Sequence, residues 1–179
     1  MTKNAVKLMM LVFPVLFLTV SCTVVRRTDS STAAVKSLEN KVVAADLRTD
    51  IINHAKTYVG TRYRYASTNP DKGFDCSGFS SFILNRYGFR MPHGSTNQAV
   101  LGKKVDLATA QVGDLVFFGR KKRINHVALI VKNNKGNITI VHSTNTRGVV
   151  VENINDSDYW RKRVLFARDV IGATTKRNG

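Results

Sequence analysis

Three side chains in this sequence have the types and surroundings for nucleophilic acyl transfer: Cys76, His126 and His142. Cys76 lies in Gly73-Phe74-Asp75-Cys76-Ser77-Gly78-Phe79, at the start of a stretch with helical apolar spacing. The thiolate is the reactive form of cysteine, and a free thiol has a pKa of about 8.5. Unpaired amides and the dipole at a helix N-terminus favour an anion, so this position is expected to lower that value. The same amides donate to a developing oxyanion. Ser77 and Gly78 suit backbone that a substrate must approach closely. The plain alternative is a buried structural cysteine, which needs no base.

Two histidines supply the base. His126 opens the run Asn125-His126-Val127-Ala128-Leu129-Ile130, and His142 ends Ile138-Thr139-Ile140-Val141-His142. Between them Asn133-Asn134-Lys135-Gly136-Asn137 carries the turn signal of a hairpin. A turn centred on Asn134 sets His126 directly opposite His142, both rings on one face. Such a pair serves a Cys–His site, the second ring fixing the tautomer of the first. A one-residue slip would send one ring to the other face. No C-x-x-C, H-E-x-x-H or H-x-x-x-H spacing occurs, so neither a metal nor another cofactor is expected. His54 and His93 read as solvated or packing residues.

The elements that must hold these residues are legible in outline. Leu47, Ile51, Ala55 and Tyr58 share one face of a helix expected from about Val35 to Tyr58, stopped by Gly60. Residues 60–75 are loop-like, and a second helix is expected from Cys76 to Tyr87, ending at Gly88. A short helical turn follows Gly94-Ser95. Leu115–Phe118 and Val127–Val131 are wholly apolar, as strands buried on both sides are. Ile138–His142, Val149–Asn153 and Val164–Val170 are further strands. Helices first and strands afterwards predict an α+β fold, with N-terminal helices packed on an antiparallel β-sheet.

Bulk properties bear on the setting. The chain has 179 residues, 43% of them hydrophobic, enough for one domain and an additional segment. Its net charge is +16, from 28 Lys+Arg and 12 Asp+Glu, which favours an anionic partner. Lys3 and Lys7 precede the apolar run Leu8 to Val20, which ends in Thr19-Val20-Ser21-Cys22. That layout predicts a secretory signal peptide over 1–21 rather than a bilayer span. A cysteine directly after the small residue resembles a bacterial lipobox, with Cys22 carrying the lipid; Thr19 stands where such signals usually have Leu or Val. A signal cut near Ser21 with Cys22 incidental is the alternative. An exported chain rarely meets nucleic acid, so no nucleic-acid partner is expected. Residues 22–45 read as tether and start of the first helix, 46–172 as the catalytic domain, and 173–179 as a tail. With Cys22 acylated, Cys76 has no disulfide partner in a compartment where disulfides are usual.

Asp75-Cys76-Ser77-Gly78-Phe79, Gly113-Asp114-Leu115-Val116-Phe117-Phe118, His126-Val127-Ala128-Leu129-Ile130 and Val141-His142-Ser143 together resemble the NlpC/P60 family in order and spacing. Tyr159-Trp160 before the last strand adds a fifth block. The resemblance runs from about Ile52 to Val170. It implies a papain-like core, no cofactor, and hydrolysis of amide bonds in peptidoglycan stem peptides. It implies Cys76 as nucleophile, His126 as general base and His142 as orienting residue. Asp75, Ser77 and Tyr63 match positions used near substrate. Two departures border the expected cleft: Ala66-Ser67 where the family often has a glycine pair, and Pro92-His93-Gly94-Ser95 for the usual Pro-Arg-Thr-Ser. Asp114 reads as structural. The small lipoprotein layout implies a monomer in the cell envelope, on the outer membrane facing the periplasm in a Gram-negative source. Three other functions stay open: an amidase or acyltransferase with the same Cys–His pair, a lipoprotein that binds stem peptide without cutting it, and a basic adhesin of acidic polymers. The run Arg120-Lys121-Lys122-Arg123 reads as a solvated loop, or as a lure for carboxylates if it borders the cleft.

Overall fold

Helix α1 spans Asp29–Lys56 and begins inside the segment expected as tether, because Ala33 and Ala34 extend it with strong helix formers. Only its C-terminal half is packed: Ile51, Ile52 and Ala55 are buried, whereas Val35, Leu38 and Val42 are each at least 60% exposed. The computed structural model describes residues 29–172. The expected signal peptide, Cys22 and the tail from 173 lie outside the described residues.

After α1 come a small hairpin of β1 (Thr68–Asn69) and β2 (Gly73–Phe74), helix α2 (Cys76–Asn85) and a one-turn helix α3 (Ser95–Gln98). Strands β3 (Lys103–Val105), β4 (Leu115–Arg120), β5 (Arg123–Asn134), β6 (Asn137–Thr144), β7 (Gly148–Asn153) and β8 (Val164–Asp169) follow. A 3₁₀ turn (Ile154–Asp156) and helix α4 (Asp158–Arg161) separate β7 from β8. The six strands form one antiparallel sheet in the order β3-β8-β4-β5-β6-β7. This is the expected α+β architecture. Lys103–Val105 and Asp158–Arg161 carry too short a pattern to be read from sequence.

Alternation sorts the central strands onto two apolar layers. Leu115, Phe117, Val127, Leu129 and Val141 pack against α1 and α2, alongside Phe79, Ile83 and Leu84. Val116, Phe118, Ala128, Ile130 and Ile140 pack on the other face with Trp160 and Ala167. Strands β4 and β5 are therefore buried on both sides, as their unbroken apolar runs require.

The β5–β6 register differs from the one centred on Asn134. Asn134 pairs with Asn137 across a two-residue turn at Lys135-Gly136, both with positive φ. That register alone would put His126 and His142 on opposite faces. A bulge at Val131 then inserts one extra residue, so that Ile130 pairs with Ile140 and Leu129 with Val141. His126 and His142 thus become diagonal neighbours on the same face rather than direct partners. The bulge restores the parity that the turn removes.

A buried ion cluster fastens α1 to the sheet. Arg48, 5% exposed, donates through Nη1 to Asp114 Oδ1 at 2.7 Å and to the Val112 carbonyl at 2.8 Å. Its Nη2 donates to Asp169 Oδ1 at 2.6 Å. Asp114 is 1% exposed, so removing the cation strands a carboxylate without solvent. Arg48→Ala is expected to lower unfolding free energy by about 3–5 kcal/mol. An unchanged midpoint and slope in urea denaturation would contradict this role.

Candidate active site

Cys76 is the first residue of α2, and Asp75 before it is the N-cap. Asp75 Oδ1 accepts from the Gly78 amide at 2.6 Å and from the Ser77 hydroxyl at 2.9 Å. Gly78 is obligatory here: a Cβ at that position would lie 2.0 Å from the Ser67 carbonyl oxygen. The preceding loop is drawn in by the Asp75 amide, which donates to the same carbonyl at 3.1 Å. Ala66, in the left-handed region at φ 54°, keeps the path of that loop although it has a side chain.

Opposite α2, a line of hydrogen bonds crosses three strands. His126 Nε2 lies 2.8 Å from His142 Nδ1, and His142 Nε2 lies 2.7 Å from Glu152 Oε1. The same oxygen accepts from Trp160 Nε1 at 2.9 Å and Arg147 Nη2 at 2.8 Å. Trp160 also lies beside His126, their ring centroids 4.6 Å apart. His142 holds the Glu152 carboxyl down at about 2, with Arg147 adding to the effect. It is therefore an ionised acceptor, and this fixes every tautomer in the line. His142 Nε2 donates to Glu152; His142 Nδ1 accepts from His126 Nε2; His126 Nδ1 keeps its lone pair. That nitrogen is the one able to take a proton.

The cleft between these two halves has a volume of about 570 Å³ and is lined by Tyr63, Cys76, His126, Arg147 and Trp160 among others. Burial pushes the Cys76 thiol up to about 11, opposed by the Val127, Ser77 and Cys76 amides and reinforced by Asp75. The helix terminus does not lower it as the sequence suggested, because desolvation outweighs the amides. Burial also lowers His126, to about 3, and the neighbouring His142 adds to that. Resting Cys76 and His126 are thus a neutral thiol and a neutral imidazole. Tyr63 is raised chiefly by desolvation and keeps its phenolic proton at neutral pH.

Of the residues singled out from sequence, the fold brings Cys76, His126, Tyr63 and, behind His126, His142 to one cleft. Asp75 and Ser77, expected on substrate, are buried in the helix cap and do not line it. The second Asp75 oxygen meets His93 Nε2 at 2.8 Å, so His93 braces the cap instead of standing free in solvent. Gln98, fully buried, ties the same loop to α2 through Pro92 O, Ser77 O and Ser80 Oγ. The basic run 120–123 forms the β4–β5 turn and is absent from the cleft lining. Glu152 and Arg147 were missed. Their signal was the strand period: Val150 faces His142, and Glu152, two residues on, shares that face.

The NlpC/P60 family model matches residues 60–169, and the chain belongs to the NlpC/P60 family. A murein DD-endopeptidase/murein LD-carboxypeptidase of Escherichia coli K12 is 32% identical over 80% of this chain and 74% of its own length. A gamma-D-glutamyl-L-lysine dipeptidyl-peptidase of Bacillus cereus is 35% identical over 62% of this chain and 33% of that protein. The crystal structure of an NlpC/P60 family protein from Bacillus cereus superposes with a TM-score of 0.64 at 31% identity, covering 69% of this chain and 40% of that one.

Two outcomes follow from the electrostatics. Alkylation of Cys76 by iodoacetamide is expected to rise about tenfold per pH unit between pH 7 and 9, because thiolate is scarce below a pKa of about 11. A rate that is already high and flat from pH 5 to 8 would mean a preformed thiolate–imidazolium pair. Glu152 lies below its unfolded value of 4.5, so its bond to His142 stabilises the fold fully above that pH and is lost as pH falls toward 2. Glu152→Gln is expected to leave that acid-side loss smaller, read as the pH dependence of the urea midpoint between pH 5 and 3.

Proposed function

We propose that this protein is a peptidoglycan hydrolase: a thiol endopeptidase that cleaves an amide bond in murein stem peptides. The single observation that carries this reading is the cleft in which Cys76, at the head of α2, shares its walls with a histidine whose free nitrogen is fixed from behind. The relatives named above act on murein or on glutamyl–lysine bonds, and the best-covered of them spans most of both chains.

In the proposed reaction His126 Nδ1 takes the Cys76 proton as sulfur attacks a stem-peptide carbonyl. A neutral resting pair makes this general-base assistance part of the attack itself. The oxyanion is met by the Cys76 amide and by the Tyr63 hydroxyl. His126, now imidazolium, is stabilised through His142 by the Glu152 carboxylate, and it protonates the leaving amine. Water activated by His126 then releases the acyl group from sulfur. The bond is either γ-D-glutamyl–diamino acid or the D-alanyl–diamino acid cross-link. The coverage of the E. coli endopeptidase favours the cross-link, since the Bacillus relative matches over a third of its length. Cys22, outside the described residues, is proposed as the lipid anchor that keeps the domain at a membrane of the envelope.

Incubation with defined cross-linked and uncross-linked muropeptides, with products identified by mass, tests the activity. Cleavage by wild type and none by Cys76→Ala is expected; equal cleavage by both, or none by wild type, would sink the peptidase reading. Glu152→Gln is expected to lower kcat by about 10²-fold or more, with a smaller change in KM, because an amide no longer imposes the His142 tautomer. Labelled fatty acid is expected to mark wild type and not Cys22→Ala.

A further inference from the structure

We propose that Arg147 is a specificity residue that reads a free carboxylate on the stem peptide beside the scissile bond. This rests on the peptidase reading above and narrows its substrate class.

Arg147 lies on the short turn Asn145–Arg147 between β6 and β7, where Thr144 pairs with Gly148. Its amide donates to Thr144 Oγ1 at 3.2 Å, which pins the turn. Its side chain is 53% exposed and lines the same cleft as Cys76. Among the described residues it is the one Lys or Arg in that lining; Asn125, Asn145, Thr146 and Ser157 contribute neutral polar groups.

The guanidinium is already oriented. One nitrogen, Nη2, donates to both Glu152 oxygens at 2.8 Å. Nε and Nη1 take no partner among the described residues; they lie on opposite sides of the planar group, so each offers a single donor to a second carboxylate. Glu152 does not compete for those donors. It is 18% exposed, and its charge is already shared with His142 and Trp160. The pair is neutral overall with its guanidinium end toward the cleft, and little side-chain freedom is left to lose on binding.

A cavity of about 570 Å³ holds a drug-sized ligand, so a group on Arg147 and a carbonyl at Cys76 belong to one short peptide. Stem peptides carry free carboxylates next to their branched linkages, and some are capped as carboxamides. The guanidinium separates these two: the carboxylate gains a charge-assisted hydrogen bond, whereas the carboxamide brings its own donors against the guanidinium.

The experiment compares two synthetic stem peptides that share the scissile bond and differ in one adjacent group, carboxylate or carboxamide. kcat/KM is measured for each with wild type, Arg147→Gln and Arg147→Lys; the ratio of the two peptides within one variant cancels any loss of folded enzyme. Wild type is expected to favour the carboxylate by on the order of tenfold or more, mostly in KM. Arg147→Gln is expected to bring the ratio near one, and Arg147→Lys to restore part of it. A wild-type ratio near one, or an unchanged ratio in Arg147→Gln, overturns the proposal. Direct binding of both peptides to Cys76→Ala, with and without Arg147→Gln, separates the two readings. Arg147-dependent preference in binding, with no cleavage by wild type, would refute the peptidase and uphold the carboxylate site. Equal binding of the two peptides would refute the site alone.

Discussion

The hydrogen-bond line from Glu152 through His142 to His126 is the constraint around which this sheet is arranged. Each member comes from a different strand, β7, β6 and β5, and each must lie on the same face at hydrogen-bond distance from the next. Antiparallel pairing puts Val150 opposite His142, so Glu152 reaches it on the diagonal. The turn at Lys135-Gly136 would place His126 on the wrong face, and the bulge at Val131 reverses that. Trp160, carried by α4, closes the line by donating to Glu152 and lying against both imidazoles. A shift of one residue in any of these strands breaks the line.

The other half of the site obeys a different constraint, the approach of backbone to backbone. Asp75 caps α2, and Gly78 lets the Ser67 carbonyl come close enough to hold the loop in front of Cys76. His93 and Gln98 brace the cap from the far side. This explains how two departures from the family pattern are absorbed. Ala66 takes a glycine-like φ at a cost of about 1–2 kcal/mol, and His93 supplies one donor where the usual arginine has five. Neither change touches the relay, and neither residue lines the cleft.

Most of this was legible from residue types. The helix starting at Cys76 and the strands buried on both faces follow from periodicity, and the four ordered blocks carry the family resemblance. The direct opposition of His126 and His142 did not survive. Their shared face did, because the turn shifts the register by three residues and the bulge takes back one, which leaves an even offset. No propensity distinguishes Val131 as a bulge; it reads as one more buried valine. Glu152 was hidden for another reason. It sits beside Asn153 at the polar end of β7, so a carboxylate there resembles ordinary surface until the fold brings Trp160 and His142 to it. The lowered thiol pKa failed because burial depth is a tertiary quantity, and a helix terminus sets only the opposing contribution.

That failure bears on how the site works. A helix N-terminus in an open position would give a resident thiolate, reactive toward any electrophile. Here burial keeps Cys76 protonated, and His126 keeps a lone pair because its other nitrogen is committed to His142. In the proposed reaction sulfur becomes nucleophilic only as its proton moves to His126, and the resulting cation is then favoured by the Glu152 carboxylate two hydrogen bonds away. The ionised carboxylate thus costs nothing in the resting thiol and acts when positive charge appears on the relay, which is where differential stabilisation raises a rate. Arg147 shares that carboxylate from the cleft side, so it tempers the negative charge felt by His142. The same ion pair thereby couples the His142 tautomer to the cleft wall.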